Sequence, residues 1–455
     1  MADPTLRTPP AHSESFDPIP YLRGLTRLID QQRLDYILAR TSRQRRRRRR
    51  LPAPAVVWLV IAMSLFATHS IPLVWRQLHP HADQPEPDDS AFTKARQRLG
   101  VAPLHELFDA VAGPMAVPGT PGAFYRSWRL MGIDGTTLDM PDTPANERVF
   151  GRGGNQRSPN AFPQVRVLAL CELGTHAVCD FAVRPIRAGE QDMVPQLLRS
   201  LQPGMLLLWD RGFFGFGLID SALRRGCHLL ARVKAGQLVL ERLEDLPDGS
   251  YLTTIYPSHA DRARGRRGRV VRVIEYTHDD PGRAGRGLKN RLLTDLLDPA
   301  DLPAREAVLL YHQRWEEELA FDEIKTHLNG RELLLRSKTP RGVVQELYGL
   351  LLAHRILRQV MADAASSRRL DPDRLSFTGT LRILQCHLHE APPRGPAAWY
   401  GRLLAEVSRQ QLRARRDRWY PRVVKRKMKK WAKKRPRHRH PPQPTKPFAD
   451  SIVIT

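Results

Sequence analysis

Two apolar runs, RLMGIDGTT at residues 129–137 and MLLLWDRG at residues 205–212, each carry an aspartate directly after their last large apolar side chain. Apolar runs of this length predict buried β-strands. We expect Asp134 on or at the end of the first strand and Asp210 at the carboxyl end of the second. Open α/β sheets form their sites at that end, so both aspartates are candidate functional residues. A single aspartate in such a place is more often a turn residue or a helix cap.

The chain around these runs alternates between strand and helix patterns. Strands are predicted at residues 128–133, 165–172, 176–183 and 205–209, and helices at 191–201, 216–225, 305–328 and 341–365. This order favours a mixed α/β sheet. Residues 236–297 are instead rich in strands and turns around a basic loop at 261–269, so we interpret them as a β insertion.

The region before the sheet predicts a small all-helical domain at residues 18–112. Helical apolar spacing covers residues 21–39, 55–67 and 90–112, after a Pro- and Ser-rich flexible arm at 1–17 and before a Gly- and Pro-rich linker at 113–122. The helix at 55–67 has 13 residues, fewer than the roughly 20 that a bilayer span needs, so we expect it to be buried in protein. The start of the chain does not read as a signal peptide, which predicts a cytoplasmic protein without a membrane segment.

Positive charge is concentrated in two segments. The chain has a formal net charge of +26, and residues 43–50 contain seven Arg while residues 411–440 contain 15 Lys or Arg against one Asp. A local basic charge is typical of a surface that binds a polyanion, and nucleic acid is the expected partner. A shorter polar and basic stretch in the helical domain is suited to phosphate contact, although a solvated helix face explains each residue alone: Thr93, Lys94, Arg96, Gln97 and Arg98.

The composition excludes several classes of protein. With 455 residues and 41% apolar side chains, the chain can bury a sizeable core, which excludes wholesale disorder and a small disulfide scaffold. Its four cysteines form no CxxC pair and have no metal-ligand spacing, which argues against a structural zinc site and for a reducing compartment. We expect these cysteines to be core residues: Cys171, Cys179, Cys227 and Cys386.

The segment YHQRWEEELAFDEIK at residues 311–325 carries the most specific pattern of the chain. At about 100° per residue in an α-helix, its spacing places four side chains on one stripe, while the acids at 316 and 317 point away. The four residues are Tyr311, Arg314, Glu318 and Lys325. A solvated helix with ion pairs explains the pairing of charges, but it does not explain why the tyrosine lies on the same face of the helix as the charged residues.

These four residues reproduce the spacing Y-x2-R-x3-E-x6-K, and the chain thereby resembles the IS4-family insertion sequence transposases over about residues 18–360. Asp134 in IDGT and Asp210 in LWDRG look like the first two acids of that family. The 108 residues from Asp210 to Glu318 are similar in length to a gap that holds a β insertion. The resemblance implies an RNase H-like DDE catalytic domain at 123–365, with its β insertion at 236–297, and then C-terminal helices and a basic tail at 366–455.

The resemblance also implies a catalytic site in which Asp134, Asp210 and Glu318 bind two Mg²⁺ ions, with Mn²⁺ as a substitute. Phosphodiester cleavage needs an activated attacking oxygen and a stabilised leaving oxygen, and two divalent ions held by carboxylates supply both. Three carboxylates without a cation would repel one another and raise their pKa values. A cation where they meet is therefore the expected compensation.

Five residues are candidates for contact with DNA. Arg314 and Lys325 would hold phosphates, the first as a bidentate fork and the second as a point charge, and Arg211 beside the second aspartate is a further phosphate candidate. Tyr311 and Trp315 are candidates for contact with the backbone or an unpaired base. Packing within the protein is equally expected for Trp315.

The expected activity is that of a DNA transposase, which cuts the ends of its insertion sequence and joins the freed 3′ ends to target DNA. The resemblance implies double-stranded DNA as partner, at the terminal inverted repeats and at the target, and a homodimer in the synaptic complex. It places the protein in a bacterial cytoplasm, associated with the nucleoid. Two alternatives remain open: a two-metal nuclease or resolvase without strand transfer, and a non-catalytic DNA-binding protein derived from a transposase. Loss of a signature acid would mark the latter, and all three acids are present.

Overall fold

The computed structural model describes residues 25, 28–41, 51–78, 87–155, 158–233, 240–283, 286–328, 335–388, 395–413 and 444–455. Three sequence predictions lie wholly or mostly outside these residues: the arm at 1–17, the arginine run at 43–50 and the basic segment at 411–440. The side chain of Trp315 also lies outside the described part of the chain.

One mixed β-sheet forms the centre of the described structure. Its strands are β1 (Phe124–Tyr125), β2 (Trp128–Asp139), β3 (Arg152–Asn155), β4 (Ser158–Glu172), β5 (Ala177–Pro185), β6 (Met205–Trp209), β7 (His228–Val233), β8 (Glu244–Asp245), β9 (Tyr251–Ile255), β10 (Arg269–His278), β11 (Asn290–Thr294) and β12 (Ile452–Ile454). Their order across the sheet is β3-β4-β2-β6-β7-β11-β10-β9-β8, with β1 paired to β2, β5 to β4 and β12 to β10. The mixed α/β sheet predicted from the sequence is confirmed.

Strand β2 determines where the candidate aspartates lie. It runs parallel to β6 as far as the pair Ile133 and Trp209, while its other edge pairs antiparallel with β4 as far as Asp139. Asp134 is therefore within a strand, at the position where its parallel neighbour has ended. Asp210 is the next residue after β6. Both aspartates thus lie at the same edge of the parallel strand pair.

The strands within residues 236–297, predicted as a β insertion, extend the same sheet. β11 pairs antiparallel with β7, β10 pairs with β11, and β9 pairs with β10. The basic loop predicted at 261–269 overlaps a short helix, α9 (His259–Ala263). The strand β12 returns from the end of the chain to pair with β10, so the insertion and the C-terminal residues form one β extension of the catalytic sheet.

Helices cover both faces of the sheet. Besides α9 they are α1 (Gln31–Arg40), α2 (Ala53–Leu65), α3 (Ile71–Leu78), α4 (Asp89–Leu99), α5 (Ala102–Val111), α6 (Pro144–Phe150), α7 (Glu190–Leu197), α8 (Phe216–Leu223), α10 (Ala304–His312), α11 (Trp315–Asp322), α12 (Pro340–Arg368), α13 (Phe377–His387) and α14 (Pro396–Val407). Alternate residues of β4 pack on opposite faces of the sheet. Val165, Val167 and Ala169 share a hydrophobic core with α12. Leu168 and Leu170 share a hydrophobic core with α7 and α8. This alternation is the period of a strand that is buried on both sides.

The N-terminal helices share a hydrophobic core with the C-terminal helices. α2 packs along α12, and at Gly349 the two helices come so close that an added Cβ would lie 2.6 Å from the carbonyl oxygen of Val60. α13 and α14 pack against α12 within the same cluster. The domain boundaries predicted at 112 and 365 stay predictions, and the segments on either side of the catalytic sheet meet in one core.

One predicted phosphate contact in α4 is wrong. The other four polar residues of that stretch are exposed, but Arg96 is only 8% exposed. Its Nη2 donates to Ser337 Oγ at 2.8 Å and lies 3.5 Å from Glu346 Oε1. Because its position on α4 faces the start of α12, Arg96 joins two helices instead of facing a phosphate.

The structure also tests the predictions for the cysteines and for the apolar helix at 55–67. Cys171, Cys179 and Cys227 are buried, as predicted for core residues, whereas Cys386 is exposed because it lies off the apolar stripe of α13. The prediction was therefore wrong for Cys386. The helix predicted at 55–67 is α2, which is buried at almost every position. Among the described residues, none of the helices has both the length and the apolar character needed to cross a membrane.

The long helix predicted at residues 305–328 is divided into three segments. α10 ends before two turn residues, α11 follows, and a π-helical turn at Glu323–His327 closes the segment. A π turn contains more residues than a turn of α-helix, so the single stripe predicted from the sequence does not continue in register past Asp322. Lys325 reaches its position through the π turn.

Candidate active site

The two strand-end aspartates lie on neighbouring strands. The Oδ1 atom of Asp134 accepts the Gly135 backbone N–H at 2.8 Å, and that of Asp210 accepts the Arg211 backbone N–H at 2.7 Å. Asp210 also caps a short 3-10 turn, so its geometry is that of a helix cap, one of the two readings considered from the sequence. Its capping role is compatible with a role in the site, because Asp210 follows a parallel strand at the edge where α/β sheets form their sites.

Tyr311 anchors the end of β6 beside Asp210. Its ring is buried between α10 and the sheet. Burial raises the pKa of Tyr311, so its hydroxyl stays protonated and donates to the Trp209 carbonyl oxygen at 3.3 Å, 3.5 Å from Asp210 Oδ1. A ring in this place is not available to stack on a base. The hydroxyl of Tyr311 contacts the end of β6 beside Asp210, and contact of Tyr311 with the DNA backbone stays a prediction.

Glu318 approaches the same edge from α11, which packs against β2. Arg314 lies one turn earlier, and its Nη2 is 3.5 Å from Glu318 Oε1. The Arg314 side chain is 12% exposed and that of Glu318 is 36% exposed, so the pair opens towards solvent. Arg314 attracts the charge of Asp134 and Glu318 repels it. The structure therefore brings these three residues into one charged group.

The pKa of Asp134 reflects both its burial and the acids near it. Burial raises the pKa of Asp134 to about 6, and repulsion by Glu318 and Glu190 adds to that effect. The Gly135 N–H and the Arg314 guanidinium act in the opposite direction without cancelling it. An external cation beside Asp134 would therefore stabilise its charged form.

Lys325 approaches β2 from the π turn. It is half-buried, and burial lowers the pKa of its ammonium group while Asp139 and Asp134 attract its charge. Both carboxylates belong to β2, so Lys325 lies on the side of that strand. Lys325 therefore lies beside the acidic site even though the π turn changes the register of the helix.

Glu190 is an acid of this site that the sequence analysis missed. It begins α7, and a Cβ added to Gly135 would lie 2.6 Å from its Oε1 atom. Arg166 holds the same oxygen at 2.5 Å, and the Nε2 of Gln191 donates to the Gly212 carbonyl oxygen at 2.6 Å. The first turn of α7 therefore contacts the residues that follow both aspartates. No motif marks Glu190, and only the glycine after the first aspartate hints at a close approach.

Comparison with known proteins shows to which family this chain belongs. The family described as Insertion element 4 transposase N-terminal matches residues 21–109, and the one described as Transposase DDE domain matches residues 129–356. The transposase InsG for insertion sequence element IS4 of Escherichia coli (strain K12) is 30% identical over 418 residues, which are 89% of this chain and 92% of InsG. The chain belongs to the IS4 family of DDE transposases. The resemblance predicted from the sequence is confirmed, and with it the DDE domain of the chain.

A second sequence relative and one solved structure match this transposase with different coverage. The putative transposase InsZ of Escherichia coli (strain K12) is 27% identical over 230 residues, which are 50% of this chain and 74% of InsZ. Among solved structures, the piggyBac transposase synaptic complex with hairpin DNA matches with a TM-score of 0.46 and 12% identity, covering 84% of this chain and 81% of that one. The family assignment rests on the sequence matches.

The donor atoms of the transposase fit a divalent cation, on which enzymes with a DDE domain depend. Asp134, Asp210 and Glu318 offer carboxylate oxygens, the ligands that hard cations prefer. A bound cation would offset the desolvation that raises the pKa of Asp134. Arg211 is exposed on the turn after Asp210, at the rim of the same site.

Proposed function

We propose that Asp134, Asp210 and Glu318 are the catalytic acids with which this transposase cuts the ends of its insertion sequence and joins the 3′ ends to target DNA. The supporting observation is that Asp134 and Asp210 lie at the same edge of the parallel strands β2 and β6, where Glu318 repels the charge of Asp134 and burial raises the pKa of Asp134 to about 6. A structural carboxylate of the same chain behaves differently. Asp280 accepts N–H groups from Gly282 and from residues 445 and 446, and these donors lower its pKa to about 2 against the effect of burial.

Mg²⁺ is the ion that we assign to these acids, two per site, with Mn²⁺ as its substitute. When bound, the ions would activate the attacking oxygen and stabilise the leaving oxygen of the phosphodiester. The protein contributes the orientation of its ligands. The backbone N–H groups of Gly135 and Arg211 each hold one oxygen of the preceding aspartate, and α11 brings Glu318 to the same edge.

Arg314 and Lys325 are assigned to DNA phosphates. The guanidinium of Arg314 pairs with Glu318 in the DNA-free protein, and its planar fork can turn to a phosphate without leaving the site. Lys325 offers a point charge beside β2. We assign a further phosphate contact to Arg211, on the exposed turn. Trp315 remains the candidate for contact with a base near the cut.

The proposed partner is double-stranded DNA, at the terminal inverted repeats of the element and at the target. Recognition of the ends is assigned to the N-terminal helices and the β extension, where Lys94 and Arg98 are exposed on α4. Two ends must be brought together for joining, so we assign a homodimer to the synaptic complex. The transposase would act in the bacterial cytoplasm, on nucleoid DNA.

Neutral variants of the acids test this function. Asp134→Asn, Asp210→Asn and Glu318→Gln should each abolish cleavage of DNA that carries the element's own ends, because each removes a charge needed to hold a cation. Binding of the same DNA in a gel shift should persist, since these substitutions keep the shape of the side chain. Glu190→Gln should slow cleavage without abolishing it, because Glu190 supports the strand end through Gly135.

Asp322→Asn is the matched control for these variants. Asp322 lies on α11 like Glu318, but it is exposed and accepts from Thr326 Oγ1 at 2.7 Å, so cleavage should match that of the wild type. Cleavage by Glu318→Gln near the wild-type rate would rule out the assignment of the third acid. Cleavage without joining of the 3′ end to target DNA would identify a nuclease, and binding without cleavage would identify a non-catalytic DNA-binding protein.

A further inference from the structure

A buried group of charged side chains lies behind the catalytic helix α11. We call it the buried charge cluster, and it comprises His176 in the turn between β4 and β5, Glu316 on α11, Glu323 at the start of the π turn, Arg358 on α12 and Asp373 in the short turn after α12. The side chain of Glu316 is 13% exposed and the other four are at most 4% exposed. Charges this deep are tolerated only when they are paired, so their arrangement needs a physical explanation.

Contacts within the cluster join α11 to three other elements. The His176 Nε2 atom lies 3.0 Å from Glu316 Oε2 and 3.2 Å from Asp373 Oδ1, and its Nδ1 lies 3.2 Å from Glu323 Oε1. Arg358 Nε donates to Glu323 Oε2 at 2.8 Å. The imidazole thus contacts the helix on both sides of the third catalytic acid, seven residues apart in sequence.

The carboxylates around His176 favour its protonated form. Burial and the neighbouring Arg358 lower the pKa of His176, but the attraction of the three carboxylates outweighs them and raises it to about 9. The Nε2 atom of His176 faces the carboxylates of Glu316 and Asp373, and its Nδ1 atom faces both Glu323 and the guanidinium of Arg358. His354 contacts Glu323 at 3.1 Å, and burial lowers the pKa of His354. The three carboxylates are thus paired with His176 and with Arg358.

The backbone departs from regular geometry at two members of the cluster. His176 has a φ of 55°, in the left-handed region that few L-residues other than asparagine, aspartate and histidine adopt. Glu323 begins the π turn, a form that is frequent at functional sites. Both departures direct a side chain into the cluster. Two residues after Glu323, Lys325 interacts instead with Asp134 and Asp139 on β2.

We propose that the buried charge cluster is a positioning device that fixes the rotation of the catalytic helix about its axis. Glu316 and Glu323 are held towards α12 and the β4–β5 turn. At about 100° per residue, Glu318 is displaced from Glu316 by about 200°, so holding Glu316 inward turns Glu318 towards Asp134. The members of the cluster act through the helix and are positioning residues. This inference rests on the proposed catalytic role of Glu318.

Two charge-removing variants test the inference in the full-length transposase. Asparagine tolerates the left-handed backbone conformation, so His176→Asn removes the charge without adding backbone strain. Glu323→Gln keeps the shape of the side chain and removes its charge. Thermal melting, gel-shift binding of the element ends and the single-turnover cleavage rate of bound ends are measured for each. We expect bound ends to be cleaved about 10- to 100-fold more slowly, with unchanged affinity for the ends, because misplacement of a catalytic group affects the chemical step.

Asp280→Asn is the matched control, because Asp280 is as deeply buried as the cluster but lies in the β extension, where its partners are Gly282, Thr445 and Lys446. An equal slowing in the control would show general destabilisation and overturn the proposal, as would wild-type cleavage by the two cluster variants. If Glu323→Gln does not fold, the cleavage rate of His176→Asn alone tests the proposal. Full activity of Glu318→Gln in the same assay would overturn the proposed function instead.

A metal measurement supplies an independent outcome. The ligand atoms of His176, Glu316 and Asp373 all lie within 4.8 Å of one another, close enough to surround one ion. If His176 carries a proton as proposed, the purified wild type and His176→Asn should retain equal amounts of zinc and manganese after chelation. One tightly held ion per chain that is lost in His176→Asn would contradict an ion-paired cluster.

Discussion

Asp134, the first of the three acids proposed as catalytic, is a carboxylate whose burial costs stability in the ion-free protein. Its pKa is raised by burial to about 6, so the folded protein binds this proton more tightly than the unfolded chain does. As the pH rises from about 4 to about 6, the unfolded chain loses the proton first. The contribution of Asp134 to stability is therefore present below this window and is lost as the pH rises through it.

Asp134→Asn should accordingly stabilise the ion-free transposase at neutral pH, by about 1–3 kcal/mol, because the amide has no charge to desolvate. Thermal melting with a chelator, at about pH 7.5 and at about pH 5, measures the effect. The gain in Tm should be larger at the higher pH, where the wild-type carboxylate is charged. A lower Tm for Asp134→Asn at the higher pH would show that the site is not short of positive charge.

At the scale of the element, the sequence predicted the type of most helices and strands but not where their geometry changes. The pattern of residues 305–328 predicts one helix with one stripe, whereas the π turn places Glu323 against Arg358 and His176. Arg358 and His176 belong to other elements, so their contacts with Glu323 do not affect the apolar periodicity of residues 305–328. β2 likewise continues past Asp134, because β4 pairs with it as far as Asp139.

The same reason explains which site residues could be found in advance. The acids at 134, 210 and 318 follow from apolar runs and from a fixed spacing within one helix. Glu190 and His176 belong to the site region only because the fold brings α7 and the β4–β5 turn to it. A side chain whose role depends on such long-range contacts has no periodic signal in a single sequence.

The contact between α2 and α12 gives a prediction in which two effects oppose each other. Alanine has a higher helix propensity than glycine by about 1 kcal/mol, but at Gly349 its Cβ would lie 2.6 Å from the backbone oxygen of Val60. Because the backbone cannot yield as a side chain does, we expect Gly349→Ala to lower the Tm. Gly401 on α14 has no atom within 4 Å of such a Cβ, so Gly401→Ala should raise the Tm. Equal gains in both variants would mean that the two helices are not in contact in solution.

At the scale of the whole molecule, the parts of the chain on either side of residues 414–443 are both packed on the protein. Leu375 forms a β-bridge with Gln411, and the strand β12 pairs with β10. The ring of Phe448 stacks on His312 of α10 with centroids 4.1 Å apart, next to the tyrosine that supports Asp210. The C-terminal residues therefore help to hold the catalytic sheet and should be retained in any truncation of the basic segment.

Deletion of residues 425–440 should weaken binding to specific ends and to random DNA alike. The deleted residues contain ten Lys or Arg, and each phosphate that they neutralise releases about 0.9 counterion, so the plot of log K against log salt should become flatter. Fluorescence titrations at several salt concentrations measure both the affinity and the slope. A variant with the same sixteen residues in scrambled order keeps the charge and should bind as the wild type does. If the deletion weakened binding to the ends alone, or if scrambling did so, the segment would read base sequence and the sequence-independent role assigned to its charge would be wrong.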